Sequence, residues 1–244
     1  LQGNRVARIS TRSGERGCVL HTMSSPNRRF QPAVDLGTAF GLREPTGVVV
    51  RPLMAGPGPA GDARVGALAH PALLLDGVIL RSVTLRQRTG ALLHGAGDVL
   101  PGGDLEPEPF SASSRVLVPT RLLPLDPLTM TAASHHRALA PRIAAAVARQ
   151  SDQLALQSIV AQLTSIEQRL ELLLPELADR WGTVTGEGVT LPAFFSHTVL
   201  AALIGVRRPS LTTGLATLSR PGFLRRLDDR RWLLAPEWAG IAAA

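Results

Sequence analysis

Seven arginines and two aspartates fall within residues 194–234, FFSHTVLAALIGVRRPSLTTGLATLSRPGFLRRLDDRRWLL. A guanidinium presents N–H donors in a rigid fork, so it pairs bidentately with phosphate oxygens or with O6 and N7 of guanine. Arg208 stands where Pro209 and Ser210 open what reads as a helix, and the residues after it on the exposed side, Thr212, Thr213 and Ala216, are short enough for close approach to a partner. Arg225, Arg226, Arg230 and Arg231 flank Asp228-Asp229, at the level where a backbone phosphate would lie. The chemistry this implies is recognition of a polyanion. A net charge of +7 over 244 residues favours anionic partners in the same sense.

Other chemistries find less support. All the Lys and Arg positions are Arg, so there is no phosphate-loop lysine, and no Gly-x-Gly-x-x-Gly follows a strand pattern. Cys18 is the single cysteine, which excludes an intrachain disulfide or a cysteine-based metal cluster within one chain. His135 and His136 are adjacent and diverge on a helix, with no acidic or Cys partner at a useful spacing. Asp104, Glu106 and Glu108 alternate with proline as a solvated acidic loop, and no Ser-His-Asp set has local support. The chain is expected not to be an enzyme and to hold no metal.

The elements that must position the arginines are readable. Ser196 suits an N-cap, and Val199, Leu200, Leu203 and Ile204 mark the buried face of one helix. Gly205 falls where a tight turn is needed and Val206 where a plug fits between two helices. Pro209 suits a first helical turn, and Leu211, Leu215 and Leu218 give the second helix an inward stripe. FLRRLDDRRWLL then reads as two short strands joined across Asp228-Asp229. Helix, short turn, helix is the arrangement that places a second helix in the DNA major groove. An ordinary helical hairpin with a solvated basic surface has the same spacing, so the pattern by itself leaves both readings open.

Upstream, residues 47–126 are apolar runs broken by Gly, Pro and charge, the pattern of short antiparallel strands in a barrel or jelly roll. From His135 to Gln168 there is one Pro and no Gly. Leu139, Ile143, Val147, Leu154, Ile159, Leu163, Ile166 and Leu170 recur at helical spacing, predicting one long amphipathic helix with Pro141 near its start. Part of that stripe has no obvious partner in the chain and suits a second copy, with packing on the barrel as the alternative use. Pro175 should kink or divide the helix after it, and WGTVTGEGV reads as a loop and turn. Residues 1–40 keep no period, Met23 reads as a candidate start, and no run is long enough to span a membrane. The expected location is cytoplasmic.

SHTVLAALIGVRRPSLTTGLATLSRPGFLRR resembles, without a gap, the C-terminal winged helix of Crp/Fnr-type bacterial regulators, and GVRRPSLTTGLATLSRPGFL is similar to an actinobacterial branch of them. The resemblance covers about residues 45–236. It implies an α+β chain: a cyclic-nucleotide-binding-like antiparallel β-roll or jelly roll over 45–130, a long dimerisation helix over 131–168, and a winged helix-turn-helix over 169–244; residues 1–44, which keep no period, are expected to be a partly disordered N-terminal extension. Carried over by position, Arg208, Pro209 and Thr213 sit where the family reads bases, and Ser196, His197, Arg207 and Ser210 where it holds phosphates, with Arg230 and Arg231 on the wing. The implied function is a sequence-specific transcription regulator binding double-stranded DNA as a homodimer on a two-fold-related operator, with RNA polymerase as a further partner. Pro209 replaces an acidic residue common in the family, so the half-site should differ.

The family's sensing domain holds a cyclic phosphate with a Gly-Glu pair and an Arg before a small hydroxyl residue. Here Gly97-Asp98 matches the opening turn, but Phe110 precedes Ser111 where the Arg belongs, and PGGDL replaces the Gly-Glu pair. Arg115 or Asp104 would substitute only in a shifted loop. Control by cAMP is therefore not expected, no cofactor is predicted, and the effector is left open. The alternative function is a ligand-sensing or protein-interaction module that has lost specific DNA binding.

Overall fold

The computed structural model describes residues 68–102, 110–134 and 139–236, together with four short strands nearer the N-terminus. Cys18, Met23, Asp104, Glu106, Glu108, the pair His135–His136 and most of the extension 1–44 lie outside the described residues. In chain order the strands are β1 (Val34–Asp35), β2 (Val49–Val50), β3 (Leu53–Ala55), β4 (Arg64–Val65), β5 (Ala72–Leu85), β6 (Arg88–Gly95), β7 (Val99–Leu100) and β8 (Phe110–Pro124). Helices α1 (Pro127–Ser134), α2 (Leu139–Gln162) and α3 (Ile166–Trp181) follow. The chain continues through β9 (Thr183–Thr185), β10 (Gly188–Leu191), α4 (His197–Leu203), α5 (Arg208–Ser219), β11 (Leu224–Arg226) and β12 (Trp232–Leu234).

The first large sheet is antiparallel with the order β3-β8-β5-β6, β4 pairing with β8 and β7 with β5. Its two central strands are not short: β5 has 14 residues and β8 has 15. They pair from Ala72↔Pro124 to Leu85↔Phe110. Asp76-Gly77, a dipeptide that elsewhere closes hairpins, instead makes an irregularity where the register shifts. Gly77 has φ +89°, and a Cβ there would meet Thr120 Cγ2 at 2.3 Å. Asp76 Oδ1 accepts from the Arg121 backbone N–H at 2.9 Å, which holds the two strands together across the irregularity.

The helix expected from His135 to Gln168 is divided. α2 stops at Gln162, and Ser165 (φ −84°, ψ 137°) caps α3 by accepting from Gln168 N. The apolar spacing runs through the break, so periodicity alone merges the two helices; the Thr164-Ser165 cap signal decides it. Arg169 holds the joint, donating from Nε to Leu163 O (2.9 Å) and from the guanidinium NH2 to Ala161 O (3.3 Å). Its NH1 reaches Ile204 O at 2.9 Å, tying the joint to the end of α4. Pro175 does not divide α3, which continues to Trp181. The carbonyl it leaves without a donor belongs to Glu171, an exposed residue that water reaches. WGTVTGEGV is not a loop: it forms the β9–β10 hairpin inside a second antiparallel sheet of order β11-β12-β10-β9. No described helix is long and apolar enough to cross a membrane.

The two sheets are joined by one core. Val78, Leu80, Ala91 and Leu93 of the first sheet pack with Leu170, Leu174 and Leu177 of α3, and with Phe195, Leu200, Leu211 and Leu234. Beside this apolar contact lies a polar one. Asp98, only 2% exposed, accepts from Gly95 N at 2.8 Å and from the Arg180 guanidinium at 2.5 Å. The Gln150 amide nitrogen of α2 donates to Val99 O at 2.8 Å and lies 3.1 Å from His94 Nδ1, which assigns the imidazole proton to Nε2. The turn between β6 and β7 is thus held from both α2 and α3.

Burial pushes the His94 imidazole down to about 4; the Asp98 carboxylate opposes this, while the Arg81 and Arg180 guanidinium groups add to it. The unfolded chain therefore takes up a proton near pH 6.5 that the folded chain refuses until about pH 4. Stability contributed by neutral His94 is complete above that window and is lost as pH falls through it, by up to about 3 kcal/mol. His94→Gln should flatten the fall in unfolding free energy between pH 6.5 and 4, measured by denaturant titration against the unmodified protein.

Candidate nucleic-acid interface

α4 begins as its sequence requires. Ser196 (φ −70°, ψ 163°) accepts from Val199 N at 3.3 Å, and Val199, Leu200, Ala201 and Leu203 are buried. Gly205 has φ +68°, and the Val206 N–H reaches back to Ala201 O at 3.0 Å, a left-handed glycine closure of the helix end. Val206 is half-buried against the core between the two helices. α5 follows with Pro209 in its first turn; its Arg207 N-cap makes no side-chain cap.

α5 has two unlike faces. Leu211, Gly214, Leu215 and Leu218 are buried. Gly214 is required by proximity: a Cβ there would lie 2.6 Å from Ile166 Cγ2 of α3. Arg207, Arg208, Pro209, Ser210, Thr212, Thr213, Ala216 and Thr217 are exposed. The hydroxyls of Thr212 and Thr213 donate to Arg208 O (3.0 Å) and Pro209 O (3.4 Å), so these side chains are ordered by their own helix. Arg207 and Arg208 have no carboxylate partner among the described residues.

His197 joins the two helices to the last hairpin. Its Nδ1 lies 3.1 Å from Thr212 Oγ1, and its ring stacks on Trp232 at 5.5 Å with a 21° tilt. The Arg226 guanidinium covers the same indole at 4.3 Å, and Trp232 Nε1 donates to Phe195 O at 2.8 Å. Burial first, then the charges of Arg226 and Arg208, hold the His197 imidazole below its usual range. At neutral pH it offers hydrogen bonds rather than charge. Ser196 uses its oxygen as an acceptor in the cap, which leaves its O–H free to donate outward.

On the β11–β12 turn, Arg230 is exposed with φ +69° and has no carboxylate partner among the described residues. Arg231 is engaged by Asp229 at 2.5 Å, and Arg225 by Glu187 at 2.6 Å. Both pairs are largely solvated, so they exchange readily for an external anion. Ser196, His197, Arg207, Arg208, Pro209 and Ser210 therefore lie at the starts of α4 and α5, Thr213 lies midway along the exposed face of α5, and Arg230 and Arg231 lie on the β11–β12 turn. Sequence reasoning does not single out Arg169 or Gly214. Gly214 interrupts a leucine stripe, which is a readable signal; Arg169 carries none.

On the first sheet, Phe110 is exposed at the start of β8, and the turn through Gly97 and Asp98 is closed by Arg180. Among the described residues no three His, Cys, Asp or Glu side chains group as metal ligands.

Neither a protein-family model nor a curated protein sequence matches the chain. Solved structures do. A CRP-family transcriptional regulator from Thermus thermophilus superposes with a TM-score of 0.58 at 21% identity, over 73% of this chain and 94% of its own. FixK2 from Bradyrhizobium japonicum gives 0.59 at 18% identity, over 77% and 93%. A cyclic nucleotide-binding domain containing protein from Listeria monocytogenes gives 0.60 at 16% identity, over 75% and 88%. The fold is that of the CRP-family regulators. Its α+β class, with antiparallel sheets and helices, agrees with that likeness.

Proposed function

We propose that the chain is a sequence-specific DNA-binding transcription regulator that acts as a homodimer on a two-fold-related operator. In this reading α4, α5 and the β9–β12 sheet are a winged helix-turn-helix, the first sheet is a β-roll that has lost the means to hold a cyclic nucleotide, and α5 enters the major groove. The observation that carries it is the outer face of α5: a helix held by a buried leucine stripe and a close glycine contact presents Arg208, Pro209 and Thr213 to solvent, with no segment of the described chain covering them. Arg208 would read guanine, and Ser196, His197, Arg207, Ser210, Arg230 and Arg231 would hold phosphates. No enzymatic activity is part of the reading. A cytoplasmic site of action and contact with RNA polymerase belong to the same proposal.

A dimer is supported by α2. Val147 and Leu154 are each 51% exposed and Ile159 is 54% exposed, although apolar residues at helical spacing belong in a core. Val147, Ser151, Leu154 and Ser158 recur at alternating intervals of four and three, the seam spacing of paired helices. Leu154→Glu should convert the protein to a monomer by light scattering and abolish operator binding, leaving the circular dichroism spectrum unchanged. The reading as a whole is tested by selecting operators from random duplexes with the purified protein. Enrichment of paired inverted half-sites supports it. Recovery of unenriched sequence would favour a module that has lost specific DNA binding.

A further inference from the structure

His197 opens α4 with a ring whose two nitrogens have unlike surroundings. Thr212 Oγ1 of α5 has one proton to give and donates it to Arg208 O at 3.0 Å. His197 Nδ1, 3.1 Å from the same oxygen, is then the donor of that pair, so the neutral imidazole carries its proton on Nδ1. Nε2 is left as a bare acceptor. It has no hydrogen-bond partner among the described residues and is not closed off from solvent. Stacking on Trp232 fixes the plane of the ring. The charged groups that face it are both cationic, Arg208 of α5 and Arg226 of β11. Neither the rest of α4 nor β12 contributes a charged side chain.

We propose that operator binding by this chain is proton-coupled: each His197 takes up one proton and donates Nε2–H to a backbone phosphate, so that acidification tightens the complex. This deepens the DNA-binding reading above and rests on it. A phosphate oxygen only accepts hydrogen bonds, and so does Nε2 of the neutral ring in this tautomer, so the two repel. Protonation turns the same contact into a charge-assisted bond. In the free protein burial first, then Arg226 and Arg208, hold the imidazole below its usual range, and no carboxylate is among the charges acting on it. The anion it lacks is the one a duplex brings, and a phosphate at Nε2 raises the group. Between the free and the bound values the complex holds a proton that the free protein does not. Affinity therefore rises as pH falls through the bound value and levels off below the free one. The limit is about tenfold per pH unit for each protomer, or about a hundredfold for a dimer.

Nitrogen NMR on the free chain at about pH 8 should show His197 in the Nδ1–H form; an Nε2–H form overturns the proposal before any DNA is added. Affinity for the selected operator is then measured from about pH 8 to about pH 5.5 at constant ionic strength, above the range in which His94 titrates. A rise of roughly tenfold or more across that range is expected. His197→Gln, whose amide can donate at any pH, should lose most of the rise. Thr212→Val removes the oxygen that holds the Nδ1 proton and frees the other tautomer to donate, so it should flatten the rise by strengthening binding at the alkaline end. His70→Gln, at an exposed bend before β5, should keep the rise. Operator affinity independent of pH, or a rise that His197→Gln retains in full, overturns the coupling and leaves the DNA-binding reading standing. A chain with the Nδ1–H tautomer that selects no operator would instead remove that reading, and the coupling with it.

Discussion

Arg208→Ala should remove the preference for one base pair in each half-site while barely altering affinity for unrelated duplexes. The side chain stands at the start of a helix whose other face is buried, is free of any carboxylate among the described residues, and is followed by a proline and short residues that allow close approach. A bidentate arginine–guanine contact discriminates by about 1–3 kcal/mol, a factor of roughly 5 to 150. Competition binding on the selected operator and its single-base variants reads this directly. Arg230→Ala should behave differently: all sequences weaken together, and the slope of log affinity against log salt falls by about one. Equal losses on every sequence from Arg208→Ala would contradict the role given to that residue.

Asp98→Ala should be the most destabilising of the single changes considered. It removes a buried carboxylate and leaves Arg180 and the Gly95 N–H without their partner at the junction of the two sheets. Breaking a buried pair from one side costs about 3–5 kcal/mol, a fall in melting temperature on the order of 10 °C for a chain of this size. Adding Arg180→Leu should recover part of the loss, since no charge is then left buried without a partner. Circular dichroism melts of the single and double variants measure it; a double variant that loses the sum of both single costs would contradict the coupling.

What was legible in the sequence was local. The Ser196 cap, the Gly205 turn, the leucine stripe of α5 and the final hairpin each depend on residues within a few positions, and each took the predicted form. What was not legible depends on distant partners. The length of β5 and β8 comes from their pairing across some 40 residues, and the irregularity at Asp76-Gly77 is fixed by the facing strand. Asp98 and Arg180 stand 82 residues apart, so nothing local marks them as a pair. β9 and β10 are three and four residues long, too short for alternation to register, and exist because β12 supplies a neighbouring edge. The end of α2 was readable at Ser165 but was masked by apolar spacing that continues across the break.

In the proposed complex the outer face of α5 lies in the major groove, twice, on one duplex. Dimethyl sulfate protection on the selected operator reports it, because the reagent methylates guanine N7 in that groove. Two clusters of protected guanines about one helical turn, or 34 Å, apart on one face of the duplex are predicted, with Arg208→Ala freeing one guanine in each. Bound operator in which every guanine N7 remains reactive would contradict the account.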